Sequence, residues 1–364
     1  MKQILNVVGA RPNFMKIAPI HRQMLMHDSR LEPVLVHTGQ HYDDRMSKLF
    51  FTDLLLPEPH YYLGVGSGTH AQQTARIMIE FEKVCEKLKP DLVVVVGDVN
   101  STAACSMVAS KMWIPIAHVE AGLRSFDRRM PEEINRLITD TLSSYLFTTE
   151  KSGNENLQEE GIIKNKIHFV GNVMIDSLAF FLEKADESNM LNELKIKPKE
   201  YALITLHRPS NVDNAVNLDK ILTAFEEIQK NIPIIFPIHP RTQKNLTSFG
   251  FRSRVKSFKN LKLLPPIGYL DFLCLEKNCK FALTDSGGIQ EETTFLGIPC
   301  LTLRENTERP ITVELGTNEV VGTDTDKIIE DSRMILAGNW KKGSIPPLWD
   351  GKAATRITKI LLEN

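Results

Sequence analysis

The sequence predicts an α/β protein of two Rossmann-like, doubly wound domains that face a central cleft. Three observations predict this: ten short apolar runs, segments of helical period between them, and a length of 364 residues, which exceeds one ordinary domain. The runs are continuously apolar, which is typical of strands buried on both faces of a parallel sheet. Strands that alternate with helices indicate doubly wound sheets.

The apolar runs form two groups, one in each half of the chain. The first group of predicted strands is 4–9, 34–37, 92–98, 114–120 and 145–149. The second group is 166–172, 201–207, 232–239, 280–285 and 299–303. Helical period is clearest at 70–88 and 217–230.

A polar, charged stretch at 183–200 has weak periodicity and is typical of a connection between domains. We expect an N-terminal domain at 1–172 that carries acid–base carboxylates and a C-terminal domain at 173–349 that binds a diphosphate. The last helix, at 350–364, is compatible with packing on either domain, including the N-terminal one.

Composition excludes several classes of function. The net charge of −1 gives no general attraction to nucleic acid or to an anionic membrane. No apolar stretch approaches the roughly 20 residues that cross a bilayer, and the N-terminus lacks the pattern of a signal peptide. The five cysteines have no CxxC spacing, so we expect neither a disulfide framework nor a zinc site, and we predict a cytoplasmic protein.

Ligands of open α/β sheets bind beyond the carboxyl ends of the strands, so the residues after each apolar run are candidates for the site. The first run is followed by Gly9, Arg11 and Lys16, where a tight turn and two cations suit an anionic ligand. A strand–helix turn with solvated charges explains the same residues equally well. The GxGxxG fingerprint is absent, so this turn gives no support for NAD binding.

Polar residues also lie at the ends of the second and third apolar runs. His37, Gln40 and His41 follow the second run, but polar loop residues explain them better than a metal site, and we predict no metal. Asp98 ends the third run, where a carboxylate either caps the next helix or acts as a general acid or base.

The segment 114–136 has the highest density of ionisable groups in the chain. In this segment, the predicted strand ends at Glu120, a charged loop follows, and a helix begins at Pro131. The helix dipole explains acidic residues in that first turn, and Glu132 with Arg136 is an i,i+4 pair. So many ionisable groups beside a strand end favour a functional site.

In the second half, basic residues and glycines follow the strands. His207 and Arg208 end one strand, and His239 ends another. Ser286, Gly287 and Gly288 lead a strand into a helix, where backbone N–H groups of a helix N-terminus suit a phosphate. We therefore predict a diphosphate site in this domain.

Taken together, these motifs resemble the non-hydrolysing UDP-N-acetylglucosamine 2-epimerases. The resemblance runs in one order from about residue 4 to residue 324, which is nearly the whole chain. It implies a glycosyltransferase-B-like fold, the two-domain form also seen in many glycosyltransferases, which matches the architecture predicted above. Its motifs are GARPNFMK, HTGQHYD, GDVNST, HVEAGLRSFDRRMPEEINR, LHRPSNVDN, HPRT, LTDSGGIQEE and LRENTERP.

The resemblance implies roles for individual residues. UDP is expected to be held by Arg11, His207, Ser286, Gly287 and Glu291, with Glu291 on the ribose hydroxyls, and we add Arg208, His239 and Gly288 to the cradle. Catalysis is expected to involve Lys16, Asp98, Glu120, Glu132, Arg136 and His207. The tandem Glu132–Glu133 leaves open which glutamate enters the site, and we choose Glu132.

The family reaction explains why no cofactor is expected. C2 of a sugar nucleotide is not adjacent to a carbonyl, so elimination and re-addition of UDP avoids a direct deprotonation without NAD. We expect reversible conversion of UDP-GlcNAc to UDP-ManNAc for surface polysaccharide. The alternatives are a 2-epimerase of a modified UDP-sugar, a hydrolysing 2-epimerase, a glycosyltransferase and a non-catalytic UDP-sugar sensor.

Two further expectations come from the resemblance. Some relatives bind a second substrate molecule as an activator, and the matching positions here include Gln40, Arg208 and His239, with His41 beside them. Asp43 stands where some members carry glutamine, which speaks against that regulation. The family forms dimers, so a homodimer is expected.

Overall fold

The computed structural model describes residues 1–39 and 54–363. They form two compact units, Met1–Phe180 with Pro347–Asn364, and Phe181–Pro346. Each unit holds one parallel sheet with helices between successive strands, which confirms the predicted pair of Rossmann-like α/β folds. No helix within these ranges is long and apolar enough to cross a membrane.

The first unit contains a seven-stranded sheet in the order β3-β2-β1-β4-β5-β6-β7. Its strands are β1 (Lys2–Val8), β2 (Leu31–His37), β3 (Tyr61–Tyr62), β4 (Leu92–Val96), β5 (Ile116–Ala121), β6 (Tyr145–Thr148) and β7 (Ile167–Phe169). Its helices are α1 (Arg11–Leu25), α2 (His70–Leu88), α3 (Asn100–Lys111), α4 (Pro131–Leu142), α5 (Lys151–Glu159) and α6 (Val173–Ala185), which runs past the unit boundary, and a 3₁₀ turn spans Lys164–Lys166. The final helix of the chain also belongs to this unit.

The second unit contains a six-stranded sheet in the order β10-β9-β8-β11-β12-β13. Its strands are β8 (Ala202–Thr205), β9 (Ile234–Pro237), β10 (Leu261–Leu264), β11 (Phe281–Thr284), β12 (Cys300–Thr302) and β13 (Asn318–Val320). Its helices are α7 (Met190–Leu194), α8 (Pro209–Val212), α9 (Ala215–Ile228), α10 (Pro240–Ser248), α11 (Arg252–Ser257), α12 (Tyr269–Asn278), α13 (Gly287–Leu296), α14 (Ile311–Glu314) and α15 (Thr325–Leu336). Helix α16 (Ala353–Glu363) then returns to the first unit.

Strand order reverses once in each sheet, and the reversal sets where a ligand binds. The reversal lies between β1 and β4 in the first unit and between β8 and β11 in the second. The crevice at the carboxyl ends of such a pair is the usual ligand position in doubly wound sheets. The predicted site residues near these two strand pairs therefore occupy the expected place in each unit.

The ten apolar runs all contain strands, whereas three strands were not predicted. These are β3, β10 and β13, and each lies at the edge of its sheet. An edge strand pairs on one side only and faces solvent, so it needs no continuous apolar run. The sequence of β10, with its exposed lysine and leucine, illustrates this.

Hydrogen bonds fix the C-terminal helix and the residues before it to the first unit. Asp176 on α6 accepts hydrogen bonds from the backbone N–H groups of Ala353 (3.0 Å) and Ala354 (2.7 Å), at the N-terminus of α16. The buried indole of Trp349 donates to the carbonyl of Thr149 at 3.0 Å. A carboxylate at a helix N-terminus satisfies N–H groups that have no partner within the helix.

Two carboxyls are buried against each other in the second unit. Glu276 on α12 and Glu292 on α13 are 0% and 3% exposed, and the Tyr269 hydroxyl donates to Glu292 Oε1 at 3.3 Å. Burial and the charge of Glu292 raise the pKa of Glu276 well above its ordinary range. Burial raises the pKa of Glu292 from 4.5 to about 7. Between pH 4.5 and about 7, the folded unit therefore retains protons that the unfolded chain releases.

This pair predicts a pH dependence of stability. Because the folded pKa values are raised, stability is highest below the unfolded pKa of 4.5 and falls as the pH rises toward about 7. Glu276→Gln removes one carboxyl, so its stability is expected to fall by less over the same interval, by a difference on the order of 1–3 kcal/mol. Hydrogen exchange of β8 and β11 peptides, corrected for intrinsic rates, measures this locally.

The matched control is Glu227→Gln, which alters a partly exposed glutamate paired with Lys230 at 2.5 Å. The control is expected to follow the wild type at every pH. Glu276→Gln with the same pH dependence as the wild type would contradict the assignment of a retained proton to the pair.

Candidate functional site

The turn from β1 into α1 is fastened to the end of β4 by one side chain. The Asn13 amide oxygen accepts from the N–H groups of Gly9 (3.2 Å) and Ala10 (3.0 Å). Its amide nitrogen donates to the Val96 carbonyl at 2.9 Å. This fixes the start of α1 at the reversal point of the first sheet.

Lys16, one turn further along α1, forms a buried ion pair with Glu120. The two side chains are 7% and 3% exposed. Glu120 is the penultimate residue of β5 and has φ at +73°, a backbone conformation that residues other than glycine rarely adopt. Such strain costs about 1–3 kcal/mol and is concentrated at functional sites. The fold thus holds Glu120 in an unfavourable backbone conformation that delivers its carboxylate to Lys16.

Asp98 follows β4 and pairs with a second buried cation. Its Oδ2 lies 2.5 Å from Nη1 of Arg136 on α4, and the aspartate side chain retains 24% exposure while Arg136 retains 2%. Helix α3 has Val99 as its N-cap, with no side-chain cap, so Asp98 does not cap that helix. Asp98 is thus held by a fixed guanidinium and remains accessible to a ligand.

The structure distinguishes the tandem glutamates at the start of α4. Glu133 is buried and accepts hydrogen bonds from the Ser125 N–H and hydroxyl and from the Phe126 N–H, at 2.9–3.0 Å. Burial opposes its ionisation, but these bonds and Arg136 outweigh burial and lower the pKa of Glu133. Glu133 therefore holds the preceding loop, and Glu132, which is half-buried, stays the candidate for chemistry.

In the second unit, buried Asp285 organises the turn after β8. Its carboxylate accepts from the backbone N–H of His207 (2.9 Å), from that of Arg208 (2.8 Å) and from the Asn211 amide (3.2 Å). His207 Nδ1 lies 3.0 Å from Asp285 Oδ1. Burial would raise the pKa of Asp285, but the hydrogen bond and charge of His207 hold it below its ordinary value. The imidazole of His207 is therefore oriented while 37% of its side chain stays exposed.

His239 is the second histidine at this sheet edge. It begins α10 as the N-cap, where Nδ1 accepts from the Arg241 N–H at 3.2 Å. Its ring centroid lies 5.6 Å from that of His207. The two imidazoles and half-buried Arg208 therefore share one edge of the second sheet.

The turn from β11 into α13 is packed against a buried arginine. A Cβ added to Gly287 would lie 2.6 Å from Arg309 Nη1, so only glycine fits there without displacement. Arg309 Nε lies 2.7 Å from Glu291 Oε1, and Arg309 Nη1 lies 2.5 Å from Glu308 Oε1. Arg304 Nη2 closes the chain of charges at 2.8 Å from Glu308 Oε2. Ser286 is the N-cap of α13.

The predicted residues thus fall into two groups within the separate units. The first unit brings together Lys16, Glu120, Asp98 and Arg136 with Glu132 nearby on α4, and the second gathers His207, Arg208 and His239 and, one strand away, Ser286, Gly287, Gly288 and Glu291. Gln40, His41 and the side chain of Arg11 lie outside the described part of the chain. Within that part, no three His, Cys, Asp or Glu side chains are grouped to hold a metal ion.

Sequence reasoning missed the residues that hold the site in place. Asp285 ends the predicted strand 280–285, and a strict search of strand ends would have selected it. Arg304, Glu308 and Arg309 lie in the LRENTERP motif, but their mutual pairing has no sequence pattern. Asn13 gives no recognisable signal in the sequence.

Comparison with known proteins gives consistent results. A family model described as UDP-N-acetylglucosamine 2-epimerase matches residues 23–362. A UDP-N-acetylglucosamine 2-epimerase of Methanocaldococcus jannaschii is 47% identical over 363 residues, covering 98% of this chain and 97% of the relative. A UDP-2,3-diacetamido-2,3-dideoxy-D-glucuronate 2-epimerase of Pseudomonas aeruginosa is 41% identical, covering 99% of each chain. The crystal structure of the Methanocaldococcus jannaschii enzyme in complex with UDP-GlcNAc and UDP is similar with a TM-score of 0.91, at 47% identity and full coverage of both chains.

Proposed function

The chain belongs to the UDP-N-acetylglucosamine 2-epimerase family, and from this premise we propose that it interconverts UDP-GlcNAc and UDP-ManNAc without hydrolysing them. One observation carries the proposal. Twice in the first unit, a carboxylate at a strand end is paired with a buried cation, Glu120 with Lys16 and Asp98 with Arg136. Such pairs hold acid–base groups in a defined place.

The chemistry of C2 requires more than one acid–base group. In elimination, a base removes the C2 proton, the C1–O bond breaks, and UDP leaves with the electron pair. The product is 2-acetamidoglucal, with a double bond between C1 and C2. Re-addition reverses these steps with protonation on the other face of C2, so inversion uses two groups on opposite faces. No oxidant or reductant enters this balance.

The carboxylates of the first unit supply the proton transfers in this proposal. Asp98, Glu120 and Glu132 are the acid–base candidates, while Lys16 and Arg136 stabilise the charges of their partners. General acid–base catalysis by positioned groups contributes about 10²–10⁴ in rate. The partly exposed Asp98 is the candidate for direct contact with the sugar.

The groups of the second unit bind the leaving UDP in this proposal. Backbone N–H groups at the start of α13, with Ser286, Gly287 and Gly288, suit the diphosphate. The exposed part of His207 stabilises the charge that develops on the leaving phosphate. We assign the Glu291 carboxylate, which lies 2.7 Å from Arg309 Nε, to the ribose hydroxyls, as the family resemblance implies.

The remaining substrate-binding assignments rest on the family resemblance and on position. We assign Arg208 and His239 to the diphosphate because they share the sheet edge with His207. Arg11 is assigned to UDP as the first residue of α1. The proposal includes a homodimer in the cytoplasm that supplies ManNAc-derived sugars for surface polysaccharide, by analogy with the family. Gln40, with His41 beside it, matches an activator position of some relatives, but Asp43 speaks against that regulation in this chain.

A second candidate is the 2-epimerisation of a UDP-diacetamido-uronate. The Pseudomonas aeruginosa relative named for that substrate is 41% identical over 362 residues. The chemistry at C2 is the same for both sugars, so the acid–base groups do not distinguish them. The relative named for UDP-GlcNAc is closer, at 47%, which is why UDP-GlcNAc comes first.

Product identity tests the proposal. The purified chain is incubated with UDP-GlcNAc, and proton NMR follows the anomeric signals. The expected result is an equilibrium mixture of two nucleotide-linked sugars. Free ManNAc and UDP would identify a hydrolysing enzyme, and turnover of the UDP-diacetamido-uronate alone would identify the second candidate. Binding without any product would show a sensor.

A further inference from the structure

His118 is a fully buried histidine whose two ring nitrogens both lie against acceptors. It lies on β5, two residues before Glu120, and is 0% exposed. Its Nδ1 lies 2.6 Å from Asp140 Oδ1, and its Nε2 lies 2.8 Å from the Gly97 carbonyl. Both distances are those of good hydrogen bonds.

The partners determine how many protons the ring carries. A carbonyl oxygen only accepts, so Nε2 must carry a proton. Asp140 Oδ2 accepts from the Gly122 N–H at 3.1 Å and lies 2.7 Å from Arg124 Nη2, so this carboxylate already serves two donors. The Arg124 guanidinium at this distance favours the ionised form of Asp140, whatever the charge of His118.

An ionised Asp140 needs a donor at His118 Nδ1 as well, because a lone pair of a neutral ring would repel the carboxylate at 2.6 Å. The surrounding charges agree with this. Arg124 binds both Asp140 and Glu160, so one cation faces two carboxylates. With a positive His118, the two cations, His118 and Arg124, balance the two carboxylates, Asp140 and Glu160.

We propose that His118 is a positioning residue, a buried imidazolium that bridges Asp140 and the Gly97 carbonyl and thereby fixes the two strand ends that carry Asp98 and Glu120. The proposal rests on the function proposed above, since it assigns His118 to the placement of the acid–base carboxylates.

The bridge holds both strand ends by their backbones. Gly97 directly precedes Asp98 and has φ at +67°; its N–H donates to the Val119 carbonyl at 3.0 Å while its carbonyl accepts from His118. Gly122 follows Glu120 by two residues, and Asp140 accepts its N–H. One hydrogen-bonded pair of side chains therefore links the residue before one carboxylate to a residue just after the other.

The contribution to catalysis follows from this placement. Removing the imidazolium releases the Gly97 carbonyl and leaves Asp140 with only part of its donors. Misplacement of a reacting group by about 1 Å costs on the order of a hundredfold in rate. The proposed UDP-binding groups of the second unit make none of these contacts, so KM is expected to change little.

The first test reads the protonation of His118 in the full chain. With ¹⁵N-labelled histidine at pH 8, exposed rings are neutral, because an unperturbed histidine has a pKa of about 6.5. One of the ten histidines is expected to show a one-bond coupling to hydrogen at both nitrogens. Its disappearance in His118→Gln assigns it. If no ring of the wild type carries two protons, the proposal fails, whether or not the variant folds.

The second test separates positioning from a structural role. His118→Gln is expected to lower kcat about a hundredfold and to leave KM within threefold. The control is His168→Gln, on β7, two strands from β5 in the same sheet, whose ring packs on Tyr145 and Phe147. Equal kcat values for the two variants would overturn the proposal. A wild type that turns over no UDP-sugar would instead contradict the proposed function, while the protonation test stands.

Discussion

Asp98→Asn is expected to lower the turnover of UDP-GlcNAc by about a thousandfold, within the range of positioned acid–base groups. The substitution keeps the shape of the side chain and removes its charge and its basicity. Stability is expected to change little, because Arg136 retains its second ion pair, at 2.8 Å from Glu133 Oε2. Initial rates of UDP-ManNAc formation and thermal unfolding midpoints measure the two effects separately.

The matched control for Asp98 is Asp219→Asn, which breaks another aspartate–arginine pair. Asp219 lies 2.6 Å from Arg254 Nη1, but it is 52% exposed and lies on α9 in the second unit. This control is expected to keep wild-type turnover. If Asp98→Asn retains more than a tenth of wild-type activity, Asp98 is not an essential acid or base.

The largest effect on stability is expected from Arg309→Met. Arg309 lies between Glu291 and Glu308, and all three side chains are at most 6% exposed. Removing the cation takes an arginine partner from each of two buried carboxylates, while Arg304 stays 2.8 Å from Glu308. Breaking a buried ion pair in this way typically costs about 3–5 kcal/mol. Hydrogen exchange of β11 and β12 peptides measures the change within the second unit.

Arg254→Met is the control for Arg309. Arg254 also binds two carboxylates, Asp219 and Glu226, at 2.6 and 2.8 Å, but these are 52% and 42% exposed. Exposed pairs contribute about 0–1 kcal/mol, so the control is expected to lose little stability. Equal losses in the two variants would show that burial of the Arg309 network does not determine its contribution. A weaker affinity for UDP is expected for Arg309→Met alone.

The sequence predicted the central strands of both sheets and their α/β class because these strands are buried on both faces. Strand β4 is apolar and buried at all five positions, which is the pattern of a strand covered on both faces in a parallel sheet. Three of the four edge strands of the two sheets, β3, β10 and β13, escaped prediction because an edge strand pairs on one side only, whereas β7 was predicted from the run 166–172. Strand pairing is a long-range property, and β3 at Tyr61–Tyr62 is defined only by its partner β2.

The sequence predicted some residues of the candidate site and missed others, again because long-range contacts have no local sequence pattern. Residues at strand ends, such as Glu120 and His207, follow from the topology of parallel sheets. Residues that hold them do not, because their role depends on contacts between distant segments. His118 and Asp140 are 22 positions apart, and nothing in their spacing predicts the bond between them.

The sequence does not decide between the neighbouring residues Glu132 and Glu133. Both residues suit the first turn of a helix, and both carry the same chemistry. The fold separates them, since the hydrogen bonds from Ser125 and Phe126 engage Glu133. The sequence does not show this difference, because it depends on the conformation of the loop that contains Ser125 and Phe126.

Deuterium incorporation tests the central claim, epimerisation through elimination of UDP, most directly. The full chain is incubated with UDP-GlcNAc in deuterated water, and NMR follows the hydrogen at C2 of both sugars. We expect every molecule of UDP-ManNAc formed to carry deuterium at C2, because the proton removed by the enzyme exchanges with solvent. UDP-ManNAc that retains the original C2 hydrogen would contradict the elimination mechanism and the roles assigned to Asp98 and Glu120.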